Sequence, residues 1–329
     1  MMAAAAPAAP TTASEATANA VVFVAAHRDA AEALGATLAD FSNDPDGFAT
    51  ALDAGLAALA DPEYLQGQQR VAPGIGAIHG VRWPLLAAVQ RGFRNSTKGV
   101  PATPLLFIAD RLFHERELEA RWFAFGLLER TLSTETERTW QLMRRAAREA
   151  GDWITVDSLA HPYGTGIAAE TYRWAELEQL VYSPSRWERR LIGSTIATMT
   201  HVDRKRGRDP GVAGHALPLL GALMGDAEPD VQKALSWAYR SLTVVDLPAT
   251  EAALRAEAER AAATGDGHRA WVIRDTLTKL DPATADEFRT RLAGIRKRPG
   301  APATSAASET AARFGRLPDP AYHPEPPLR

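Results

Sequence analysis

Trp153 and Asp157 form the segment of this sequence best suited to chemistry on a positively charged group. They are four residues apart, so in a helix both side chains lie on one face, one turn from each other. An indole face and a carboxylate each attract positive charge, so the pair could hold a cation. The alternative is a half-buried tryptophan beside an aspartate that caps a turn, and the segment alone favours that alternative.

A second segment, Ser185 to Ser194, contains several arginines near Trp187. Arg190 and Ser194 share one helix face, and the planar guanidinium of arginine matches phosphate oxygens, so Arg190 could clamp a phosphate. The alternative is a solvated basic face that pairs with Glu188, which this segment alone favours.

A third segment places Lys233, Trp237 and Arg240 at positions i, i+4 and i+7, on one helix face. This face differs from the apolar stripe of the same helix, which consists of Val231, Ala234, Leu235 and Ala238. A tryptophan between two cations suits a surface that faces nucleic acid. It could equally pack between helices, with the cations snorkelling around it.

The composition limits the classes of function. The chain has 329 residues, no cysteine and a formal net charge of -3, so disulfides and thiolate metal sites are excluded, and a bulk basic excess is missing. Phosphate-loop, zinc-helix and serine-nucleophile motifs are missing as well, and we expect no metal or cofactor.

Two further features are interpreted as structural. The segment His201–Arg208 is basic and is interpreted as a solvated loop, and His161, beside Pro162, is interpreted as a turn residue.

Helical patterns dominate the chain, and alternating strand patterns are missing. Asp-Pro pairs at Asp61 and Asp281 predict helix starts, and Gly225 before Pro229 predicts a stop and restart. Capping boxes are predicted at Thr134 with Glu137 and at Ser185 with Glu188. Trp187 and Trp237 lie at similar places in two predicted helices, roughly 50 residues apart, which is near a HEAT period. We therefore expect an all-α fold, a curved HEAT-like helical solenoid.

Three ranges describe the expected domain organisation. Residues 1–20 are predicted to be a disordered Ala-rich tail, residues 21–296 one helical-repeat domain, and residues 297–329 a Pro/Ala-rich tail. No apolar run approaches the ~18 residues of a membrane span, so no membrane contact is expected. We expect a cytoplasmic monomer.

In this order, the three segments resemble the AlkD-type alkylpurine DNA glycosylases. The shared motifs are Trp153-Ile-Thr-Val-Asp157, Trp187-Glu-Arg-Arg190 and Val231-Gln-Lys-Ala-Leu-Ser-Trp237-Ala-Tyr-Arg240. Weaker similarities are Leu112–Ala120, which resembles a helix pair of the family, and Gly80-Val81-Arg82-x-Pro84, which resembles a turn that enters an early repeat. The resemblance covers about Ala60 to Arg296. The sequence departs from the family pattern at Asp152, where the family has a second aromatic, and around Tyr64, where Gln66–His79 resembles an insertion.

The resemblance implies a stack of HEAT-like helix pairs that grips duplex DNA and hydrolyses the N-glycosidic bond of N3- or N7-alkylated purines, in base excision repair. Asp157, Trp153 and Trp237 would form the catalytic cluster, with the lesion still stacked in the duplex. The residues that we expect to contact DNA are Arg186, Arg189, Arg190, Lys233 and Arg240. Two alternatives remain: a catalytically silent relative that binds distorted or branched DNA, and a HEAT-like scaffold for protein partners.

Overall fold

The computed structural model describes residues 13–71, 76–202, 209 and 211–313. In these residues it has sixteen α-helices and no β-strand, with one isolated bridge between Ala77 and Glu117. The helices are α1 Ala13–Thr37, α2 Pro45–Ala58, α3 Pro62–Val71, α4 Trp83–Ser96, α5 Ala102–Phe113, α6 Leu118–Thr131, α7 Thr136–Glu149, α8 Trp153–Ala169, α9 Trp174–Gln179, α10 Arg186–Val202, α11 Gly211–Leu223, α12 Pro229–Val245, α13 Leu247–Thr264, α14 Gly267–Thr276, α15 Pro282–Arg291 and α16 Ala306–Arg313. The all-α prediction is confirmed.

The chain divides into two compact units, residues 1–127 and 128–329, where the sequence analysis expected one domain. In the first unit, α1 packs along α4. Gly35 and Gly92 allow this close approach, because a Cβ at either position would collide with the backbone of the opposite helix. The rings of Phe48, Phe93 and Phe123 meet at centroid distances of 5.3 to 5.8 Å and fill the core of this unit.

The turn that enters α4 is built from the residues of the Gly80–Pro84 motif. Gly80 has a φ of +83°, which a glycine adopts without strain. The backbone N–H groups of Gly80 and Val81 donate to the buried carboxylate of Glu119, at 2.9 and 3.1 Å. Arg82 donates to Asp61 at 2.6 Å. Although burial opposes it, this contact and backbone hydrogen bonds lower the pKa of Asp61.

The second unit is organised around helices that run parallel to one another. Between α8 and α10, Asp157 contacts Arg190, and the Thr198 hydroxyl donates to the carbonyl of Ala160 at 3.1 Å. Because the residue numbers increase together on both helices, the two are parallel.

The same register continues through α12 to α14. Arg190 donates to the carbonyl of Asp230 on α12 at 2.6 Å, and Gly193 packs against Ala234. Further contacts join Gln232 to His268 at 3.1 Å and Ser236 to Asp275 at 2.6 Å. Helices α8, α10, α12 and α14 therefore start at one edge of this unit, here called the N-terminal edge. Successive parallel helices with return helices between them form a helical-repeat solenoid, as the sequence predicted.

Helix boundaries were predicted correctly where a single residue caps the helix or ends it. Asp61 accepts from the N–H groups of Glu63 and Tyr64, and Asp281 from those of Ala283 and Thr284. Gly225 has a φ of +94° before α12 starts at Pro229. These three predictions are confirmed.

Two predicted capping boxes differ from the structure. The box at Thr134 is wrong, because the N-cap of α7 is Glu135 and the helix begins at Thr136. The Thr134 hydroxyl donates to the carbonyl of Thr131. At α10, Ser185 accepts from the N–H of Trp187 at 3.3 Å, but the carboxylate of Glu188 accepts from the Ser183 hydroxyl instead of closing the box.

The suggested equivalence of Trp187 and Trp237 is also wrong. Trp187 is the second residue of α10, whereas Trp237 is the ninth of α12. Since Arg190 lies beside Asp230, the parallel register pairs Trp187 with residues before α12, and Trp237 with residues near the middle of α10.

Both ends of the folded region extend beyond the predicted boundaries. Helix α1 begins at Ala13, eight residues before the expected domain start at 21. After residue 296 the chain docks on the second unit: the N–H of Thr304 donates to the carbonyl of Gly225 at 2.9 Å, and Ser305 and Ala307 are buried. Residues 1–12 and 314–329 of the predicted tails lie outside the described residues.

Among the helices of the described chain, none has both the length and the apolar character that crossing a bilayer requires.

Candidate active site

The N-terminus of α8 sets the positions of Trp153 and Asp157. Asp152 is the N-cap: its carboxylate accepts from the N–H of Thr155 at 2.8 Å and from the Thr155 hydroxyl at 2.7 Å. Helix α8 therefore starts at Trp153, which puts the indole in the first turn, 39% exposed, and Asp157 one turn later on the same face. The aspartate that caps is thus Asp152, so the capping alternative for Asp157 is wrong.

Three hydrogen bonds hold the carboxylate of Asp157. Arg190 donates from Nε to Oδ1 at 3.0 Å and from Nη2 to Oδ2 at 2.7 Å, and the Ser194 hydroxyl donates to Oδ1 at 2.6 Å. This bidentate geometry restricts both the position and the rotation of the carboxylate. The side chain of Asp157 remains 19% exposed, so it is partly open to solvent.

Arg190 joins three helices from a buried position. Its residue exposure is 5%, its Nη1 donates to the carbonyl of Asp230, and the Asp230 carboxylate lies 4.0 Å from Nη1. The guanidinium lies 5.9 Å from the centroid of the Trp153 ring. The expected pairing with Glu188 is wrong, and the arginine binds Asp157 instead. Phosphate contact by Arg190 stays a prediction. To bind a phosphate, Arg190 would have to give up part of its contact with Asp157.

The charges of this cluster are unequal. Two carboxylates, Asp157 and Asp230, flank a single guanidinium, that of Arg190. Counted over these three side chains alone, the surplus is one negative charge beside the exposed indole of Trp153. A surplus anion next to an aromatic face is suited to attract and stabilise a cation.

Trp237 lies on the face of α12 that also carries Asp230. The two residues are seven apart, which is two helical turns, and Trp237 is half-buried. Direct contacts join Trp153, Asp157 and Arg190, whereas membership of Trp237 in the cluster rests on this helix face and stays a prediction.

The cations expected to contact DNA fall into two groups. Arg186 has a side chain 48% exposed that stacks on Trp187 at 4.7 Å, and Lys233 is exposed. Arg189 instead ties the turn before α10 by donating to Asp226 at 2.7 Å and to two backbone carbonyls, and Arg240 binds Asp275. Arg186 also has a partner, because its Nη1 lies 3.6 Å from the carboxylate of Glu228, but its side chain is half exposed. Arg189 and Arg240 are less exposed and bind their carboxylates at shorter distances, so Arg186 and Lys233 are the more accessible candidates.

Two other predictions concern histidine and the basic loop. The turn interpretation of His161 is wrong, because it lies inside α8, 3.4 Å from Glu129, whose carboxylate raises the pKa of the imidazole. Of the segment His201–Arg208, the first two residues end α10, and residues 203–208 lie outside the described residues.

The roles of Ser194 and Asp230 were not predicted from the sequence. Ser194 shares a helix face with Arg190, which was the available signal, but the sequence does not connect that face to Asp157. Asp230 carried only the signal of an acidic first turn.

Comparisons with known proteins identify the family to which the chain belongs. The family model described as DNA alkylation repair enzyme matches residues 52–279. A solved structure described as "Predicted DNA alkylation repair enzyme from Enterococcus faecalis" aligns with 71% of this chain and 97% of its own, at 14% identity and a TM-score of 0.49. No curated protein matches the chain. The family match spans more than half of the chain and contains Trp153, Asp157 and Arg190, so the chain belongs to the DNA alkylation repair enzyme family.

Proposed function

We propose that this protein is a DNA glycosylase that hydrolyses the N-glycosidic bond of N3- or N7-alkylated purines in duplex DNA. The observation that carries the proposal is the Asp157 carboxylate, held by three hydrogen bonds and partly open to solvent, one turn from the exposed indole of Trp153.

The charge of the substrate matches the charge of the site. Alkylation of a purine ring nitrogen makes the base cationic and a better leaving group. As the bond from C1′ to the base breaks, its electron pair goes to the base and positive charge develops on the sugar. Asp157 would stabilise that charge and orient water for attack at C1′, and the water proton would leave to solvent. A preorganised electrostatic group of this kind contributes roughly 2.7–4 kcal/mol in a transition state.

The aromatic side chains would add a smaller contribution. The indole faces of Trp153 and Trp237 would contact the cationic sugar or base, at about 0.5–2 kcal/mol each. The summed contributions of the carboxylate and the indoles are enough for catalysis because the glycosidic bond of an alkylated base is already labile. Arg186 and Lys233 would contact the backbone, and Arg190 would exchange part of its contact with Asp157 for a phosphate, leaving Ser194 to hold the carboxylate.

Methylated duplex DNA tests the proposal directly. Purified protein is expected to release 7-methylguanine or 3-methyladenine as free bases, detected by chromatography, and to leave abasic sites in proportion. Unmethylated duplex is the control and should yield neither. Binding to distorted or branched DNA without release of any base would reject the glycosylase and favour the silent relative.

Replacement of Ser194 tests how the carboxylate is held. Ser194→Ala removes the hydrogen bond to Oδ1 of Asp157, and we expect the single-turnover excision rate to fall about tenfold, since a hydrogen bond to a charged group contributes roughly 1.5 kcal/mol or more. Duplex affinity should stay the same, because Ser194 is fully buried.

Ser236 provides the matched control for this variant. It is also fully buried, and its hydroxyl donates to Asp275 on the next helix at 2.6 Å. Ser236→Ala should therefore reproduce any general effect of losing a buried hydroxyl without lowering excision. Equal losses in the two variants would show that Ser194 acts only through stability.

A further inference from the structure

A cavity of about 530 Å³ lies at the N-terminal edge, where the turn from α13 to α14 meets the segment after residue 295 and α16. Four arginines and two carboxylates line it together with smaller residues. The charged lining residues are Arg260, Arg269, Arg296, Arg298, Asp266 and Glu309.

Two of the four arginines are neutralised by carboxylates of the protein. Arg269 binds Glu257 and, at 2.9 Å, Asp266, and Arg260 binds Glu257 at 2.8 Å. These contacts leave Arg296 and Arg298 as the arginines with potential for a ligand.

Arg296 and Arg298 are exposed and have no carboxylate partner among the described residues. Arg296 donates from Nη1 to the adjacent carbonyl of Ile295 at 3.3 Å. Burial and the nearby charge of Arg296 lower the pKa of Arg274, whose own guanidinium donates to the carbonyls of Leu292 and Ile295. The like charges of Arg296 and Arg274 repel each other, and an anion bound at Arg296 would relieve the repulsion.

The backbone that presents these arginines is held in place. Lys297 donates to Gln232 at 2.8 Å, and the Nε2 of His268 lies 3.2 Å from the carbonyl of Ala301. The carbonyl of Arg296 lies against Gly267, where any Cβ would collide with it. Because the backbone is fixed, binding a ligand would restrict only the two side chains and would not require ordering of the main chain.

The cavity lies at the same edge as the candidate active site. Since α8, α10, α12 and α14 are parallel and start at this edge, the order along it is Trp153, Arg186, Asp230 and then the cavity beside Gly267. Three helix spacings of about 8–10 Å put the cavity roughly 24–30 Å from α8. That is too far for a role in bond cleavage.

We propose that this cavity binds the phosphodiester backbone of duplex DNA away from the lesion, through Arg296 and Arg298. The inference rests on the proposed function for the nature of the ligand. It also gives the docked segment after residue 295 a role in gripping the substrate.

The test is the salt dependence of binding to a long undamaged duplex. Each phosphate contact contributes about 0.9 to the magnitude of the slope of log affinity against log salt concentration. The double variant Arg296→Ala/Arg298→Ala removes two such contacts, so its slope should be shallower than that of wild type by about 1.8. Affinity should fall, while single-turnover excision at saturating protein should stay at the wild-type rate. Glu309→Gln should tighten binding, because it removes a negative charge from the cavity. On a duplex too short to reach the cavity, wild type and double variant should bind equally.

A double variant on α15 is the matched control. Arg289 and Arg291 are exposed and pair with Asp286 and Glu259, so Arg289→Ala/Arg291→Ala removes the same charge elsewhere. The proposal for the cavity would be overturned if Arg296→Ala/Arg298→Ala left the slope and the affinity unchanged, or if the control variant lost as much affinity and slope as this variant. If wild type excises bases but the slopes agree, only this inference fails. If the slopes differ as expected but no base is released, the glycosylase proposal fails and the DNA contact stands.

Discussion

Asp157→Asn is expected to lower base excision from methylated duplex by about 100- to 1000-fold, the loss that follows removal of one preorganised electrostatic group. Asparagine has nearly the shape of aspartate and can still accept from Arg190 and Ser194 through its carbonyl oxygen. It lacks the negative charge that would stabilise a cationic sugar. Single-turnover release of 7-methylguanine measures the effect, and a gel shift with the same duplex should show nearly unchanged binding.

Asp152→Asn is the control for that change. It alters the same residue type in the same region of the chain, and asparagine is as good an N-cap as aspartate, so α8 should keep its start at Trp153. We expect the excision rate of this variant to be within about threefold of the wild-type rate, because exchanging one preferred N-cap residue for another changes helix stability by only a few tenths of a kcal/mol. Excision by Asp157→Asn at the wild-type rate would reject the assignment of Asp157, and an equal loss at Asp152 would show that helix geometry or the general field matters instead.

Helix starts could be predicted from the sequence because their causes are local. Asp61 and Asp281 each precede a proline that suits the first helical position, and the aspartate alone satisfies the exposed N–H groups. The predicted box at Thr134 failed because α7 begins at Thr136, with Glu135 as its N-cap, one residue later than the box requires. A capping pattern alone does not fix the start of a helix to the residue.

The limits of the folded region could not be predicted in the same way. Composition after residue 296 is typical of a tail, yet Thr304 bonds to Gly225, which is 79 residues away in sequence. Contacts across that separation form only when the helices have packed together, so the apolar periodicity of the sequence does not predict these contacts. The division at residue 127 within α6 has the same origin, because it reflects packing between helices rather than a change in composition.

Half of the candidate site followed from spacing alone. The spacing of four from Trp153 to Asp157 puts both side chains on one helix face once α8 forms, and the structure agrees. The partner of Arg190 did not follow, because the choice between Glu188 on its own helix and Asp157 on α8 depends on the parallel register of α8 and α10. That register comes from packing along their full length.

Arg190→Met should destabilise the second unit by about 3–5 kcal/mol, the range for removing one partner of a buried ion pair. Asp157 would lose two of its three hydrogen bonds, and the carbonyl of Asp230 would lose its donor. For a unit of this size each kcal/mol shifts the Tm by about 2–4 °C, so calorimetry should show a decrease of roughly 10 °C. Arg186→Met, one turn earlier on α10 and half exposed, should shift the Tm far less.

The double variant Asp157→Asn/Arg190→Met separates the charge from the packing. Most of the cost in Arg190→Met arises because a carboxylate stays behind without its cation, so neutralising that carboxylate should recover part of the Tm. Excision should stay as low as in Asp157→Asn, because stability returns without the catalytic charge. A double variant whose Tm falls by the sum of the two single losses would show that the residues act independently. In that case the pairing of Asp157 with Arg190 would not be what holds α8 against α10, and the carboxylate would need another source of its fixed position.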